Sequence, residues 1–273
     1  MKTDIGPDLI SGYVQTNKEV IRNAFSRGAG SYDHYAFVQQ KIAGLLFENL
    51  PNSSEMYKKR IFEIGCGTGI ISEKLLRNYP DSKICMTDIS PQMVNMCKLK
   101  LISVPHSGAW FKVLDAEYDD IGNSFDLIVS SLTAHWFDDI HASIQKITDA
   151  LNPGGMLVMS YLTNDSFPEW RNVCDTMNIA CTANRLPEKE ELQSVILEHD
   201  FRFEPFSVRT TFDKSHDFFK SLKKSGVNTQ TGEKQLGVSD FRKLVRMWDS
   251  TEENGINITY SGELLILRKE QAI

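Results

Sequence analysis

The stretch Glu63-Ile64-Gly65-Cys66-Gly67-Thr68-Gly69 places three glycines at alternate positions, directly after an apolar run and directly before an amphipathic one. Residues 60–64 are predicted to form a buried β-strand, and residues 70–78 an α-helix with one apolar face. Glycines at such a turn let the backbone bend sharply and approach a ligand closely. Backbone N–H groups at the start of the helix favour a negative group or a carboxylate. The stretch therefore predicts a ligand-binding turn, against the alternative of a tight turn without a ligand.

The spacing of these glycines distinguishes two kinds of cofactor site. A nicotinamide dinucleotide site has the pattern Gly-x-Gly-x-x-Gly, with the pyrophosphate at the helix start. Here the pattern is Gly-x-Gly-x-Gly, and the acidic residue Glu63 lies two positions before the first glycine. The spacing argues against a nicotinamide oxidoreductase.

Short apolar runs alternate with longer amphipathic runs from about residue 60 onward, which is typical of βαβ units around a parallel sheet. We predict an α/β fold with a doubly wound, mostly parallel seven-stranded sheet. The first five strands are predicted at residues 60–64, 83–87, 110–114, 125–130 and 156–161. Ser90 and Pro91 are predicted to begin one helix. A helix over residues 140–151 is predicted to be stopped by Asn152-Pro153-Gly154-Gly155.

The alternation loosens beyond residue 162. Helices are predicted near residues 169–183, 188–198, 216–224 and 239–252, and strands at residues 201–212 and 258–267. Residues 1–58 are expected to be mainly helical and to act as a lid, with residues 59–273 as the main domain. Within that domain, residues 164–200 and 213–253 are expected to form a variable helical insertion.

Polar side chains follow several predicted strands where the carboxyl ends of parallel strands converge, which is the expected ligand crevice of such a sheet. Asp88 follows the second strand. An acid at this position can accept hydrogen bonds from both hydroxyls of a ribose. The alternative is that Asp88 is an exposed loop residue. Asp115 follows the third strand, and Ser130 and Ser131 end the fourth. Met93 is expected to pack either on an adenine or in the core.

The glycine turn and the acids after it resemble the class I S-adenosylmethionine-dependent methyltransferases, whose fold is Rossmann-like. The resemblance implies that Glu63 lies near the positive methionine end of the cofactor, that Asp88 binds the ribose and that Asp115 accepts a hydrogen bond from the adenine amino group. No metal is expected. The predicted cofactor-binding residues are Glu63, Gly65, Cys66, Gly67, Gly69, Asp88, Ile89, Met93, Asp115, Ala116 and Ser130.

Over about residues 18–268 the chain resembles a narrower family, the malonyl-[acyl-carrier-protein] O-methyltransferases of biotin biosynthesis. The segments that carry this resemblance are Phe25-Ser26-Arg27-Gly28-Ala29-Gly30-Ser31-Tyr32-Asp33, Ser131-Leu132-Thr133-Ala134-His135-Trp136, Ser166-Phe167-Pro168-Glu169 with Ala183-Asn184-Arg185-Leu186-Pro187, and residues 221–226. His135 and Phe167 depart from the Gln and Leu that are common in the family. These departures concern the shape of the acyl pocket.

This resemblance implies methyl transfer from S-adenosylmethionine to the free carboxylate of a malonyl thioester, giving the methyl ester that starts pimeloyl and biotin synthesis. The carboxylate is already ionised at neutral pH and needs no general base, so catalysis rests on positioning. The implied partner is an acidic acyl carrier protein that carries malonyl, with malonyl-coenzyme A as the alternative acyl donor. The helical insertion would then hold the substrate pocket and the docking site.

The distal carboxylate oxygen needs a phenol or a cation to hold it. Tyr32, His135 and Arg185 are the predicted catalytic and substrate-binding residues, and Trp136 is a predicted wall of the pocket. Each of the first three also has a structural alternative. Tyr32 would attach the N-terminal helix to the sheet, Arg185 would form an ion pair, and His135 would be a hydrogen-bonded loop histidine.

A basic run near residue 220 is the predicted docking site for the carrier. Lys220 and Lys223, with Lys224 beside them, would attract an acidic protein by charge complementarity. The alternative is an ordinary solvated helix face. Two rival functions stay open: a class I methyltransferase acting on another small-molecule acid or amine, and a binding module that has lost catalysis.

The composition limits the classes of protein to which the chain can belong. The chain has 273 residues, of which 41% are apolar and 24% charged, as in ordinary globular proteins. Its net charge of -6 argues against a nucleic-acid partner. No run approaches the ~20 apolar residues of a membrane span, and the first residues lack a signal-peptide pattern. The five cysteines lack metal-binding spacing, so free thiols in the cytoplasm are expected.

Overall fold

The computed structural model describes residues 17–227, 236–252 and 254–271. One sheet of seven strands has the order β3-β2-β1-β4-β5-β7-β6, in which β1 to β5 run parallel and β7 lies antiparallel between β5 and β6. This arrangement confirms the predicted doubly wound, mostly parallel sheet. The strands are β1 (Arg60–Ile64), β2 (Lys83–Asp88), β3 (Gly108–Val113), β4 (Phe125–Ser131), β5 (Leu151–Leu162), β6 (Asp200–Phe212) and β7 (Ile256–Arg268).

Helices cover both faces of the sheet and its carboxyl edge. A short 3-10 turn also occurs at Ala134–Trp136, after β4. The helices are α1 (Asn17–Gly28), α2 (Tyr32–Tyr35), α3 (Phe37–Glu48), α4 (Ile70–Asn78), α5 (Pro91–Leu101), α6 (Ile140–Asp149), α7 (Pro168–Thr176), α8 (Lys189–Gln193), α9 (Ser215–Ser225) and α10 (Val238–Thr251).

The central strands are apolar on both faces because helices cover both. Alternate residues of a strand point to opposite faces. Ile61, Leu127 and Val129 belong to one buried cluster, whereas Phe62 and Ile128 belong to the other. This is why the central strands appear in the sequence as continuous apolar runs.

The stretch Asn152-Pro153-Gly154-Gly155 does not end a helix, contrary to the prediction. Helix α6 already ends at Asp149, and the stretch lies in the first part of β5. The pairing of β5 with β4 shifts register between Phe125 and Leu127, so the proline and the glycines occupy an irregular part of the strand.

The helices predicted near residues 169–183 and 188–198 are shorter in the structure. Helix α7 ends at Thr176 because the chain turns back at Asn178, which has a left-handed backbone conformation with φ 51°. The N–H of Ile179 then donates to the carbonyl of Cys174 at 3.0 Å. Helix α8 ends at Gln193.

The predicted N-terminal segment, residues 1–58, is described from residue 17 onward; residues 1–16 lie outside the described part. Helix α3 packs against α4 and against strands β4, β5 and β6. Helix α1 contacts α5 and α9, and α2 contacts α9. The predicted insertion includes α7 to α10, and its residues 228–235 and 253 also lie outside the described part. The domain boundary at residue 58 stays a prediction.

The ends of α1 and α9 approach each other so closely that only glycine fits. Gly226 ends α9 with φ 79°, and a Cβ there would lie 2.7 Å from the carbonyl oxygen of Ala24. A Cβ on Gly28 would lie 2.9 Å from the Gly226 nitrogen. This contact fixes the N-terminal helices against the C-terminal half of the chain.

We predict that Gly226→Ala lowers the free energy of unfolding by about 1–3 kcal/mol, since it adds left-handed strain and a backbone clash. Gly44→Ala is the matched control, because a Cβ at Gly44 meets nothing within 4 Å and the position lies inside α3. It should leave stability unchanged or raise it by up to ~1 kcal/mol. Urea unfolding of both variants measures the difference. Equal stability of the two would contradict the packing described here.

Candidate active site

A cavity of about 580 Å³ lies at the carboxyl ends of the parallel strands. The turn after β1 contributes Gly65 and Gly67, and the end of β2 contributes Asp88. Residues after β3 and β4 and from the N-terminal helices complete this wall. The cavity therefore occupies the crevice where a doubly wound sheet binds its ligand.

The glycine turn faces this cavity with bare backbone. Gly65 and Gly67 have φ angles of 72° and 53°, in the left-handed region. A Cβ on Gly65 would meet Thr133 Oγ1 at 2.0 Å, so packing requires that glycine. A Cβ on Gly67 would meet nothing within 4 Å, so its backbone borders open space. Gly67 is thus the position at which a ligand can approach the backbone.

Asp88 holds the glycine turn in place. Its carboxylate accepts hydrogen bonds from the backbone N–H of Gly67 at 2.9 Å and of Ser90 at 2.8 Å. Burial raises its pKa to about 6, although these two hydrogen bonds oppose the rise. The group is ionised at neutral pH, and each oxygen keeps a lone pair for a further donor such as a ribose hydroxyl.

Glu63 is a buried acid with an unsatisfied oxygen. The side chain lies behind the turn, and Oε2 has no hydrogen-bond partner within the described residues. Burial raises its pKa to about 8, and the negative charge of Asp88 adds to this, while a hydrogen bond from Ser72 opposes it. A buried carboxyl group with a spare oxygen fits a positively charged ligand group nearby.

Four apolar side chains and an acid from the segments after β2 and β3 also line the cavity. Ile89, Met93, Leu114 and Ala116 line it together with Asp115. Flat apolar walls with a hydrogen-bond acceptor at one edge suit an adenine ring that carries an amino group. The residues present therefore fit S-adenosylmethionine: a glycine cradle, a ribose acceptor, an adenine slot and a buried acid.

Four of the predicted cofactor-binding residues do not line the cavity: Glu63, which is described above, and Cys66, Gly69 and Ser130. The Ser130 side chain is fully buried, and Ser131 lines the cavity instead, because successive residues of a strand point to opposite faces. Cys66 is buried, and its thiol lies close enough for Cys97 to shift its pKa. At Gly69 a Cβ would face the Cys97 sulfur at 3.1 Å, away from the cavity. Cys66 and Gly69 shape the turn from behind.

Three of the predicted substrate residues line the other end of the cavity. Burial, with the charges of Asp88 and Asp33, raises the Tyr32 pKa far above its ordinary value, so the phenol stays protonated. Burial lowers the His135 pKa to about 4, so the imidazole is neutral. Its Nδ1 has no partner among the described residues. Trp136 packs edge-on against Phe25 of α1 at 5.5 Å.

Arg185 does not reach the cavity, which corrects its predicted role in the pocket. Its guanidinium forms an ion pair with Glu191 at 2.9 Å, and 72% of its side chain is exposed. Its neighbours Asn184 and Leu186 line the cavity instead. The structure supports the structural ion pair.

Of the predicted docking residues, Lys223 lines the cavity and is exposed, whereas Lys220 is exposed outside it.

The sequence reasoning missed an aromatic wall at the substrate end. Phe167, Trp170, Phe219 and Tyr260 line this part of the cavity, and the Phe167 and Tyr260 rings lie 4.9 Å apart. These residues come from α7, α9, β7 and the loop before α7, so no local pattern joins them. Phe167 has φ 62°, an uncommon conformation that is often found at functional sites.

A nearly buried ion pair attaches α1 to the loops beside the cavity and was also not predicted from the sequence. Lys18 of α1 contacts Glu117 at 2.5 Å and donates to the carbonyl of Trp136 at 2.9 Å. Glu117 also accepts the N–H groups of Asp138 and Asp139. The pair therefore links α1 to the loops that follow β3 and β4.

Residues 17–227, 236–252 and 254–271 contain neither a membrane-spanning helix nor a metal-binding cluster of side chains. No helix there is long and apolar enough to cross a bilayer. In the same part of the chain, no cluster of three or more His, Cys, Asp or Glu side chains is arranged to hold a metal ion.

Known proteins match both the chain and its fold. A family model described as "Methyltransferase domain" matches residues 62–157. The chain is 32% identical over 260 residues to malonyl-[acyl-carrier protein] O-methyltransferase 1 of Ilyobacter polytropus, covering 93% of this chain and 95% of the relative. It is 30% identical over 231 residues to malonyl-[acyl-carrier protein] O-methyltransferase of Magnetococcus marinus, covering 84% and 85%. Among solved structures, the YcgJ protein of Bacillus subtilis superposes with a TM-score of 0.60 at 15% identity, covering 85% of this chain and 99% of that one.

The fold and the site define an S-adenosylmethionine-dependent methyltransferase. Within that class, the chain belongs to the malonyl-[acyl-carrier protein] O-methyltransferase family, because relatives at least 30% identical match it over most of its length.

We predict that affinity for S-adenosylhomocysteine rises with pH between about 6 and about 8, the range in which Asp88 and then Glu63 lose their protons. Below its pKa each carboxyl group is protonated and must lose that proton before it can bind the ligand as a carboxylate. Each such proton lowers the affinity by up to about tenfold per pH unit. Calorimetric titration across this range measures the effect. Glu63→Gln should flatten its upper half, whereas an unchanged profile in that variant would show that Glu63 is not involved.

Proposed function

We propose that this protein transfers a methyl group from S-adenosylmethionine to the free carboxylate of malonyl carried by an acyl carrier protein, giving the malonyl methyl ester that starts pimeloyl and biotin synthesis. One observation supports this most: a single cavity joins the cofactor cradle at Gly67 and Asp88 to an aromatic chamber with two neutral hydrogen-bond donors, Tyr32 and His135. The cavity reaches the surface at the exposed Lys223. Such an arrangement suits a small acid delivered on the end of a flexible arm.

Bound S-adenosylmethionine supplies an electrophilic methyl group on a sulfonium. The protein itself needs to hold the carboxylate in line with that methyl group, because the carboxylate is already ionised at neutral pH. Tyr32 and His135 are proposed to hold the distal oxygen, leaving the other oxygen free to attack. Positioning of this kind contributes up to ~7–11 kcal/mol in favourable cases.

Neutral donors suit this task better than a cation would. A bidentate guanidinium binds a carboxylate strongly and would make its oxygens poorer nucleophiles. Tyr32 and His135 stay uncharged at neutral pH, and Arg185 lies outside the cavity. The ester product carries no charge on this group, so it loses the stronger hydrogen bonds that a carboxylate accepts, which favours its release.

The carrier protein is proposed to dock on α9 and α10. Lys220, Lys223 and Lys224 are exposed on α9, and Arg242 and Arg246 are exposed on α10, which packs against α9. Lys223 also lines the cavity, so an acidic carrier docked here would present its acyl group at the cavity opening. Malonyl-coenzyme A has the same kind of thioester arm and is the alternative acyl donor.

A methyltransferase that acts on another small-molecule acid or amine is the alternative function. The aromatic wall supports this alternative, because Phe167, Trp170 and Tyr260 would also accept an apolar acid as substrate. We place the enzyme in the cytoplasm, which its free cysteines fit, and propose neither a membrane nor a nucleic acid as partner.

The purified protein should transfer a radiolabelled methyl group from S-adenosylmethionine to malonyl-carrier protein, in a base-labile form, and should not modify acetyl-carrier protein. The acetyl thioester is the matched control because it lacks only the free carboxylate. Cofactor binding without transfer to malonyl thioesters would keep the methyltransferase and overturn the malonyl substrate.

Replacing Lys220 and Lys224 together by Glu should raise the Michaelis constant for malonyl-carrier protein about fivefold per reversed charge, since a screened ionic contact contributes up to about 1 kcal/mol. The constant for a small malonyl thioester should not change, because neither side chain lines the cavity. Lys83→Glu is the control, since Lys83 is exposed where β2 begins, at the end of the sheet away from the cavity. Equal losses on both substrates would overturn the docking surface.

A further inference from the structure

Two cysteines meet beside the substrate end of the cavity and have no part in methyl transfer. Cys174 is fully buried in α7, whereas Cys181 is only half-buried in the segment that follows. Both side chains pack in the same apolar cluster, and the two thiols lie close enough that each shifts the pKa of the other. Both are free in this structure.

The local path of the chain brings these two sulfurs together. Helix α7 ends two residues after Cys174, and the left-handed turn at Asn178 reverses the chain. The backbone hydrogen bond from Ile179 to Cys174 then fixes the returning segment on the helix. A bond between the sulfurs would therefore need only a small local movement.

The two thiols differ in reactivity. The pKa of Cys181 is lowered to about 6, chiefly by the neighbouring Cys174 thiol and also by the Ala183 N–H and the Arg171 charge, while burial and the Asp175 charge oppose the decrease. The same contact and burial raise the pKa of Cys174 well above its ordinary value. At neutral pH the pair thus consists of a partly accessible thiolate and a buried thiol. A thiolate beside a resolving thiol is typical of oxidation-sensitive sites.

We propose that Cys174 and Cys181 form a reversible disulfide when the protein meets a hydroperoxide, and that this modification closes the acyl end of the cavity. The Cys181 thiolate attacks one oxygen of hydrogen peroxide, the O–O bond breaks, and Cys181 becomes a sulfenic acid. The other oxygen leaves as hydroxide and takes up a proton to give water. The Cys174 sulfur then attacks the sulfenic sulfur, forms the S–S bond and releases the second water. Two thiols are oxidised, and one hydrogen peroxide is reduced to two waters.

The position of the pair connects its oxidation to the substrate. Trp170 belongs to the same buried apolar cluster as Cys174 and also lines the cavity. Thr182 and Ala183 line the cavity directly after Cys181. A covalent S–S bond is shorter than the contact between two thiols, so its formation pulls this segment and shifts the residues that line the cavity beside it. The cofactor cradle at Gly67 and Asp88 belongs to other elements and stays in place.

Oxidation is therefore expected to lower kcat/KM for the malonyl substrate roughly tenfold or more, because a displacement of about 1 Å costs up to ~100-fold. Affinity for S-adenosylhomocysteine should not change. Only the kcat/KM readout rests on the proposed function. If the reduced enzyme does not methylate the malonyl substrate, the proposed function fails. Disulfide formation is still measured independently, by the mass of the peptide that contains both cysteines.

The experiment treats the purified full chain with hydrogen peroxide and then digests it with trypsin. Cleavage after Arg171 and Arg185 leaves both cysteines in one peptide, which should lose the mass of two hydrogens and regain it with dithiothreitol. Activity and S-adenosylhomocysteine affinity are measured on the same samples. Cys181→Ser should keep basal activity and resist peroxide. Cys85→Ser should behave like the wild type, since Cys85 is buried in β2 away from the pair.

Cys66 and Cys97 provide an internal comparison. Their thiols also lie close enough for Cys97 to shift the pKa of Cys66, but both are buried. Their disulfide would join two tryptic peptides and would weaken cofactor binding, because Cys66 lies in the glycine turn. Oxidation confined to the 172–185 peptide, with loss of activity that dithiothreitol reverses, supports the proposal. Oxidation first at Cys66 and Cys97, or a disulfide in the 172–185 peptide that leaves activity unchanged, would overturn it.

Discussion

The carboxylate of Asp88 is the interaction on which the rest of the site depends. It ends β2, yet its two oxygens accept N–H groups from the turn after β1 and from Ser90, the residue directly before α5. One side chain thus connects adjacent parallel strands at the edge where the ligand binds. Because Gly67 has a left-handed conformation and no side chain to pack, this hydrogen bond largely determines where its backbone lies. The same oxygens keep lone pairs for a further donor, so we propose that the group that shapes the cradle also binds the ribose of the cofactor.

The N-terminal helices are attached to this cradle by polar contacts of their own. The Asp33 carboxylate accepts a hydrogen bond from Thr68 in the glycine turn and another from Lys100 at 2.8 Å. Ser31 donates to the Lys224 carbonyl of α9 at 2.9 Å. Tyr32 lies between these two attachments, so its position depends at once on the cofactor turn and on the proposed docking helix. Sites of this class gain from excluding water, so we propose that these helices, held by a few polar contacts, act as the predicted lid.

Sequence patterns predicted the parts of the molecule that local chemistry determines. The glycine turn, the strands beside it and the helix that begins at Ser90 and Pro91 all depend on neighbouring residues, and the structure has them as expected. Ser130 was misplaced by one residue, because a strand's pleat decides which of two adjacent serines faces the cavity. Arg185 was predicted from a short motif, yet its partner Glu191 could be found only from the fold. Phe167 and Tyr260 are 93 positions apart in the chain, so their contact had no local signal.

A crystal structure of the complex with S-adenosylhomocysteine would show directly whether Asp88 holds the cofactor. We predict ribose hydroxyls within hydrogen-bond distance of Asp88, the adenine between Met93 and Asp115, and the amino-acid end against the backbone at Gly65 and Gly67. The sulfur should point toward Tyr32 and His135. A ligand whose ribose is held elsewhere, with Asp88 making only its two backbone hydrogen bonds, would contradict this prediction.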